Sequence, residues 1–469
     1  MGIGGYLSLI NITPWTMIRG DQSSYQMNSW DFPQTLKPFS QTEVYIEREY
    51  LPFGTVSDTQ AGVTYMLAAD DLQTSADSLS YQIHYTAPDG HEDGAVEVIL
   101  SNLQTPETAK GGAINLGFSA NAVASDHITT PWILSGLLFE FSANDISSAW
   151  MSRDLGTLGC RILRHICLPG SHDAGMSRRD GGTVFGTEGR TRTQHLDIGQ
   201  QLAQGIRYFD LRPVISDGQY KTGHYSHISG SFQGANGQSF DEIINQVNDY
   251  TDKHSELVIL YLSGTYNTDL GPDSYRAFNQ DEWDGLLSQL AQGLHHLSSA
   301  PSLFPGTDIG WLRLDTFISA TSAAVIVVVD DKDIDLGSRE GHGFISSTRF
   351  SLVNEYSNTN DKDKMADDQF DKLNRYRGGS IDGDSGFLMS WTLTLSTSDT
   401  IGGTSVLTLA DWANNALYSA GYFWDRYVKT PLVFPNVLMI DDVPDDGRFR
   451  ALVFGINWML GWSGIPSAC

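Results

Sequence analysis

Two stretches constrain the fold of this chain more than any others. Ile166-Cys167-Leu168-Pro169-Gly170-Ser171 is a short apolar run that ends in His172-Asp173, and Gly205-Ile206-Arg207-Tyr208-Phe209-Asp210-Leu211 is a second that ends in Arg212-Pro213. A short apolar run of this kind reads as a buried strand, and a buried strand that stops at ionisable residues delivers them to the rim of a sheet. In the second run a period of two puts Ile206, Tyr208, Asp210 and Arg212 on one face, where a buried Asp needs its Arg neighbour to offset desolvation. A guanidinium held in this way is a ready clamp for phosphate.

The surrounding sequence alternates between strand and helix patterns. Ser239-Phe240-Asp241-Glu242 is a capping box that opens a helix through Ile243, Ile244, Val247 and Tyr250. The apolar strand Leu257–Leu262 follows, then an amphipathic helix over 280–297, strands at Ala323–Val329, Phe387–Leu395 and Val437–Ile440, and a helix over 407–422 between the last two. Continuously apolar strands interleaved with helices imply a parallel sheet covered by helices. No GxGxxG follows a strand to mark a nucleotide site.

Residues 1–140 have a different pattern. Short alternating segments at 6–12, 43–49, 63–67, 79–85 and 95–100 are separated by Gly, Pro, Asp and Ser clusters, which predicts an all-β sandwich, with 133–154 as the connection onward. Trp15, Tyr25, Trp30 and Phe32 either present a membrane- or glycan-binding face or fill the core, and core filling is the commoner use of such rings.

Together Leu168-Pro169-Gly170-Ser171-His172-Asp173-Ala174-Gly175, Gln194, Gln201-Leu202, Gly205 through Arg212, and Gly223-His224-Tyr225-Ser226 resemble the X-region of phosphatidylinositol-specific phospholipase C. Their order and spacing are more similar to the bacterial and fungal phospholipase-C-like phosphodiesterases than to the animal enzymes. The similarity runs from Arg164 to Ser263, with weaker similarity at Ser390-Trp391-Thr392 and Val437 to Asp441. The resemblance implies an α/β fold with an irregular TIM-type barrel over 155–469, preceded by the 1–140 sandwich; a doubly wound open sheet is the alternative. In a barrel the residues just past the strand C-termini converge on one face. The resemblance therefore implies His172 as base, Arg212 as phosphate clamp and His224 as acid, with His227 three residues away as the other candidate. Asp441 would orient the base and Asp173 would hold a histidine or Arg212, while Asp210 and Trp391 would bind substrate. Two histidines of ordinary pKa near ~6.5 suit acid-base work at neutral pH.

The implied reaction is cleavage of a phosphatidylinositol-type phospholipid or glycolipid anchor through a cyclic phosphate. The alternatives are a metal-dependent glycerophosphodiester or sphingolipid phosphodiesterase and a non-catalytic lipid- or glycan-binding protein. Both histidines and the Arg stand together, which speaks against the inactive reading. No cofactor is expected, because an Arg stands where a cation would sit, although Asp173 and Asp210 could share calcium or magnesium. The expected partner is lipid at a membrane surface.

A net charge of −27 argues against nucleic acid and against electrostatic docking on anionic lipid. Residues 161–221 carry nine Lys or Arg against six Asp or Glu, so this stretch is +3 and the remainder is −30. Cys160, Cys167 and Cys469 make no disulfide framework; Cys160 and Cys167 either pair across a bend or leave Cys167 as a small buried residue. No signal peptide, myristoylation motif or bilayer-spanning run is visible, so a cytoplasmic location and export by another route, or as a mature chain, both stay open.

Overall fold

Alternating apolar residues build the N-terminal part of the computed structural model, which describes residues 2–49, 59–68, 79–87, 94–105, 108–115, 129–134, 147–228, 230–378, 383, 385–396, 399, 402–419, 421–427, 429–430 and 432–462. Its strands are β1 (Gly2–Asn11), β2 (Thr16–Tyr25), β3 (Met27–Trp30), β4 (Thr35–Leu36), β5 (Ser40–Glu49), β6 (Thr59–Ala68), β7 (Ser80–Ala87), β8 (Ala95–Ile99), β9 (Ala113–Asn115) and β10 (Thr129–Leu134). They form two sheets, ordered β10-β1-β5-β3 and β4-β2-β6-β7-β8-β9, antiparallel except for the β1–β10 pair. The period of two is clear in β7, where Tyr81, Ile83, Tyr85 and Ala87 are buried between half-buried neighbours. Leu7, Leu9, Val44 and Ile46 of the first sheet join Val63, Tyr65, Ile83, Val96 and Val98 of the second in one core. Trp30 and Phe32 belong to that core, Trp15 is half-buried and Tyr25 is exposed, so two of the four candidate surface aromatics are structural.

This unit also takes in Asn415–Pro431 and Asp446–Ser463 from the far end of the chain, which corrects the expectation that everything after residue 155 belongs to the second domain. The helix Arg448–Trp462 buries Phe449, Leu452, Val453, Ile456 and Leu460 and packs beside β10. The Tyr418 carbonyl accepts hydrogen bonds from Ser8 Oγ at 2.8 Å and Gln41 Nε2 at 2.7 Å. A helix apolar on nearly all sides must be buried, but its hydropathy does not say by which unit.

The second unit is built from the described residues of Ser148–Asn414 and Leu432–Asp445. Its strands are β11 (Leu168–Ser171), β12 (Tyr208–Leu211), β13 (Pro213–Ser216), β14 (Gln219–Ile228), β15 (Ser231–Ser239), β16 (Leu257–Leu262), β17 (Tyr266–Asn267), β18 (Ala324–Val329), β19 (Phe344–Ser346), β20 (Leu352–Asn354), β21 (Gly386–Trp391) and β22 (Val437–Ile440). Eight of these form an all-parallel sheet ordered β19-β18-β16-β12-β11-β22-β21-β20. From β11 each successive strand is added on one side as far as β19, and β20, β21 and β22 return to β11 from the other. A doubly wound sheet instead reverses its order at a switch point. The observed order is that of a TIM-type barrel opened between β19 and β20, where no pairing closes it among the described residues.

Sequence and structure agree best where the apolar runs are continuous. Leu257–Leu262 and Val437–Ile440 are strands as expected, and Ser239 and Glu242 close the expected capping box on the helix Phe240–Thr251. The three-residue β19 and β20 and the polar helix Lys362–Arg377 went unread, as did the β15-β14-β13-β17 sheet inserted after β12. Cys160 is disulfide-bonded and Cys167 is free and buried, so the two do not pair with each other.

Candidate active site

Three strand ends of the parallel sheet and one strand of the inserted sheet supply the candidate residues. His172 and Asp173 follow β11, Arg212 follows β12, Asp441 follows β22, and His224 lies on β14. Backbone pairing sets their register: Ser171 lies opposite Phe209 on one side and Ile440 on the other, and His172 N–H donates to the Ile440 carbonyl at 3.0 Å. A Cβ at Gly170 would lie 2.7 Å from Val437 Cγ1, so only glycine lets these strands approach so closely here. Asp173 has φ of 40°, in the left-handed region that short polar side chains tolerate best. Its N–H faces Asp210 Oδ2 at 3.3 Å, while Ala174 N–H donates to the Asp210 carbonyl at 2.8 Å.

Gln194, buried between the ends of β11 and β22, ties the two together. Its Nε2 donates to the His172 carbonyl at 2.9 Å and its Oε1 accepts from Val443 N–H at 3.0 Å. Thr193 reinforces the tie, with Oγ1 donating to the Asp173 carbonyl at 3.0 Å and its own carbonyl accepting from Asp442 N–H at 2.8 Å.

The side chains converge on Arg212. Its Nε lies 2.6 Å from Asp173 Oδ1, and its Nη2 lies 2.9 Å from His172 Nε2 and 3.4 Å from both Asp210 Oδ2 and Tyr356 Oη. On the other face of the imidazole, His172 Nδ1 is 2.8 Å from Asp441 Oδ1. Asp173 reaches the second histidine as well, with Oδ2 at 3.3 Å from His224 Nδ1. One carboxylate thus bridges a guanidinium and an imidazole, and another orients the first imidazole.

Burial would lower the His172 pKa, but the charges of Asp441 and Asp173 outweigh it and raise it to about 9. The Arg212 contact pulls the other way, because a guanidinium N–H can be donated to Nε2 only when that nitrogen carries a lone pair. The resting geometry is satisfied by the neutral tautomer with its proton on Nδ1, shared with Asp441. Burial pushes the Asp441 carboxyl up against the opposing charge of His172. Burial also lowers His224, with Asp173 only partly restoring it. Asp173 is itself held below the usual carboxylate range, because Arg212, His172 and His224 outweigh its burial.

These groups open onto a cavity of about 460 Å³ in the second unit, lined by His172, Arg190, Thr193, Arg212, His224, Ser226, Tyr356, Asn358, Thr392, Leu393, Thr394, Leu395, Val406 and Asp441. His224 reaches it; His227, on the same strand, is exposed and its ring meets Phe232 at 4.9 Å. Asp442 turns instead to His195, accepting from its N–H at 3.1 Å. Trp391 does not line the cavity. It is fully buried, with Nε1 donating to the Ala413 carbonyl at 2.8 Å, which corrects its assignment to substrate binding; Thr392 to Leu395 form the wall. Tyr356, whose ring lies 5.4 Å from that of His172, was missed, as were Arg190 and Asn358. Tyr356 and Asn358 follow a strand of only three residues, so the one available signal, a polar cluster after an apolar run, is too short to recognise.

No family model matches the chain, and no curated protein matches it. Among solved structures it is similar to phosphatidylinositol-specific phospholipase C from Listeria monocytogenes, at 13% identity and a TM-score of 0.46 over 66% of this chain and 99% of that one. It is also similar to the F249X mutant of the Staphylococcus aureus phosphatidylinositol-specific phospholipase C (14% identity, TM-score 0.43, 66% and 98% covered). The pentafluoro-Phe form of the S. aureus enzyme aligns at 14% identity and a TM-score of 0.45, over 67% and 99% of the two chains.

Proposed function

We propose that the chain is a phosphodiesterase of the phospholipase C class, built on an irregular TIM-type barrel and acting on a phosphatidylinositol-type phospholipid or glycolipid anchor. One observation carries this reading: two histidines, one 2.8 Å and the other 3.3 Å from a carboxylate oxygen, stand with a guanidinium on the wall of one cavity. A phosphodiester with a neighbouring hydroxyl needs these three groups and no others. Arg212 turns from His172 Nε2 to the phosphate, which frees Nε2 to take the hydroxyl proton. The hydroxyl oxygen attacks phosphorus and a cyclic phosphate forms. The bond to the lipid alkoxide breaks, and His224 supplies the proton that the alkoxide needs. Asp441 orients His172, Asp173 couples Arg212 to His224, and Asp210 steadies Arg212 from below.

A second reading has one observation in its favour. His172, Asp173 and Asp210 each offer a ligand atom, all within 4.8 Å of one another. The Arg212 guanidinium already lies 2.6 Å from Asp173 and 3.4 Å from Asp210, so a calcium or magnesium ion would have to displace it. The metal-free reading is therefore preferred.

The test is turnover of phosphatidylinositol vesicles with and without chelator, with products followed by phosphorus NMR. His172→Ala and His224→Ala should each lose about 10²–10⁴ in rate with unchanged thermal unfolding, since this is what positioned proton transfer contributes. His227→Ala should stay near wild type. Loss of activity in chelator, or a linear phosphate as the first product, would move the assignment to the metal-dependent reading.

A further inference from the structure

Arg190 stands apart from the other cations near the site. It lies on the short helix Glu188–Thr191, is exposed, lines the same cavity as Arg212, and has no carboxylate partner among the described residues. Its neighbours are committed. Arg192 binds Glu188 Oε1 at 2.8 Å and the Gln194 carbonyl at 3.1 Å, Arg179 donates to the Gly186 carbonyl at 2.7 Å, and Arg178 pairs with Glu242. In a chain with 56 acidic and 29 basic side chains, a cation left facing a cavity with no carboxylate on it is a site waiting for an anion. Among the described residues that line the cavity the only carboxylate is Asp441, which is held by His172. Apart from Arg212 and the two histidines, the remaining polar lining among the described residues is uncharged, with Ser226, Asn358 and Thr394 able to donate hydrogen bonds without repelling a second negative group.

We infer that Arg190 is a specificity-determining residue that binds a second anionic group on the substrate head group, a phosphomonoester, while Arg212 takes the diester. This rests on the proposed function of the cavity. It separates the two guanidinia by role: Arg212 is tied to Asp173 and serves the reacting phosphorus, whereas Arg190 is free to read what else the head group carries.

The test uses soluble head groups, so that binding is read apart from turnover. Calorimetric titration of the full chain with an inositol bisphosphate and an inositol monophosphate is compared for wild type, Arg190→Gln and Arg192→Gln. A charge-assisted hydrogen bond lost from an otherwise intact site weakens binding by about tenfold or more. Arg190→Gln should show that loss for the bisphosphate and stay within about twofold for the monophosphate, a factor too small for such a bond. Arg192→Gln, which removes the same charge outside the cavity, should change neither. Equal losses for both ligands in Arg190→Gln would make Arg190 a second contact to the diester; equal effects of the two variants would reduce it to a field effect. No change, or no binding of either ligand to wild type, would also overturn the inference. Vesicle turnover, run in parallel, separates the two claims: cleavage without this discrimination sinks only the role of Arg190, and discrimination without cleavage sinks only the reaction.

Discussion

Arg212 is in contact with an aspartate at 2.6 Å and an imidazole nitrogen at 2.9 Å, from nitrogens on different corners of one rigid fork. An ammonium on a flexible stem cannot hold both while turning toward a phosphate. Arg212→Lys is therefore expected to lose nearly as much turnover as Arg212→Ala; near-normal rates in the Lys variant would show that a point charge suffices. The histidines make a second prediction. His172 is raised to about 9 by Asp441 and Asp173 against its burial, while His224 is lowered by burial. The form active in the proposed reaction holds His172 neutral and His224 protonated, and a pair of coupled groups gives the same two limbs whichever one carries the proton. The pH profile of kcat/KM should thus rise through a limb below the ordinary imidazole value and fall through one at about 9. Asp441→Asn removes the nearest carboxylate raising His172, so the upper limb should move down. An upper limb unmoved in that variant would belong to another group.

At the scale of elements, the strand ends that carry the site rest on a buried ion pair beneath it. Arg207, just before β12, has its Nε 2.9 Å from Glu256 Oε2, which precedes β16, and both side chains are fully buried. Glu256 also accepts from Ser152 N–H at 2.7 Å, and Arg207 donates to the Ile206 carbonyl at 2.7 Å. Removing one partner of such a pair strands the other as a buried charge, so Arg207→Met is expected to cost about 3–5 kcal/mol, read as a lower urea midpoint, and Glu256→Gln a comparable amount. A double replacement by apolar residues should lose much less than the sum. The sequence reading placed Tyr208, Asp210 and Arg212 on one face by a period of two but gave no partner for Arg207, because Glu256 lies 49 residues away and only the β12–β16 pairing brings it close. The same distinction separates what was legible from what was not. Continuous apolar runs with ionisable ends could be read locally, and they supplied His172, Arg212 and Asp441. Tyr356 and Arg190, on a loop after a three-residue strand and on a helix of four residues, have no local period to announce them. Trp391 was misplaced because alternation along β21 gives two faces and does not say which one meets the cavity.

For the whole molecule, the proposed reaction raises the question of how a chain of net charge −27 would meet an anionic surface. The +3 stretch from Arg161 to Lys221 suggested a positive island. Most of its charge is spent internally: Arg164 pairs with Asp308, Arg178 with Glu242, Arg192 with Glu188, Arg207 with Glu256 and Lys221 with Asp180. What remains on the cavity wall is Arg190 and Arg212, and two guanidinia do not reverse a field built by the other residues. At low salt, where the Debye length is ~30 Å at 0.01 M, that field repels an anionic vesicle before contact; at about 0.15 M it is screened to roughly 8 Å. In the proposed reaction the partly buried Arg212 would hold the phosphate at close range, so the same salt should weaken that contact far less. Initial rates on vesicles containing anionic lipid should therefore rise between about 0.01 and 0.15 M salt, while rates at the same substrate content in zwitterionic lipid change little. A steep fall with salt on the anionic vesicles would mean that Arg190 and its surroundings govern encounter, and that the acidic remainder of the chain faces away from the membrane when the substrate binds.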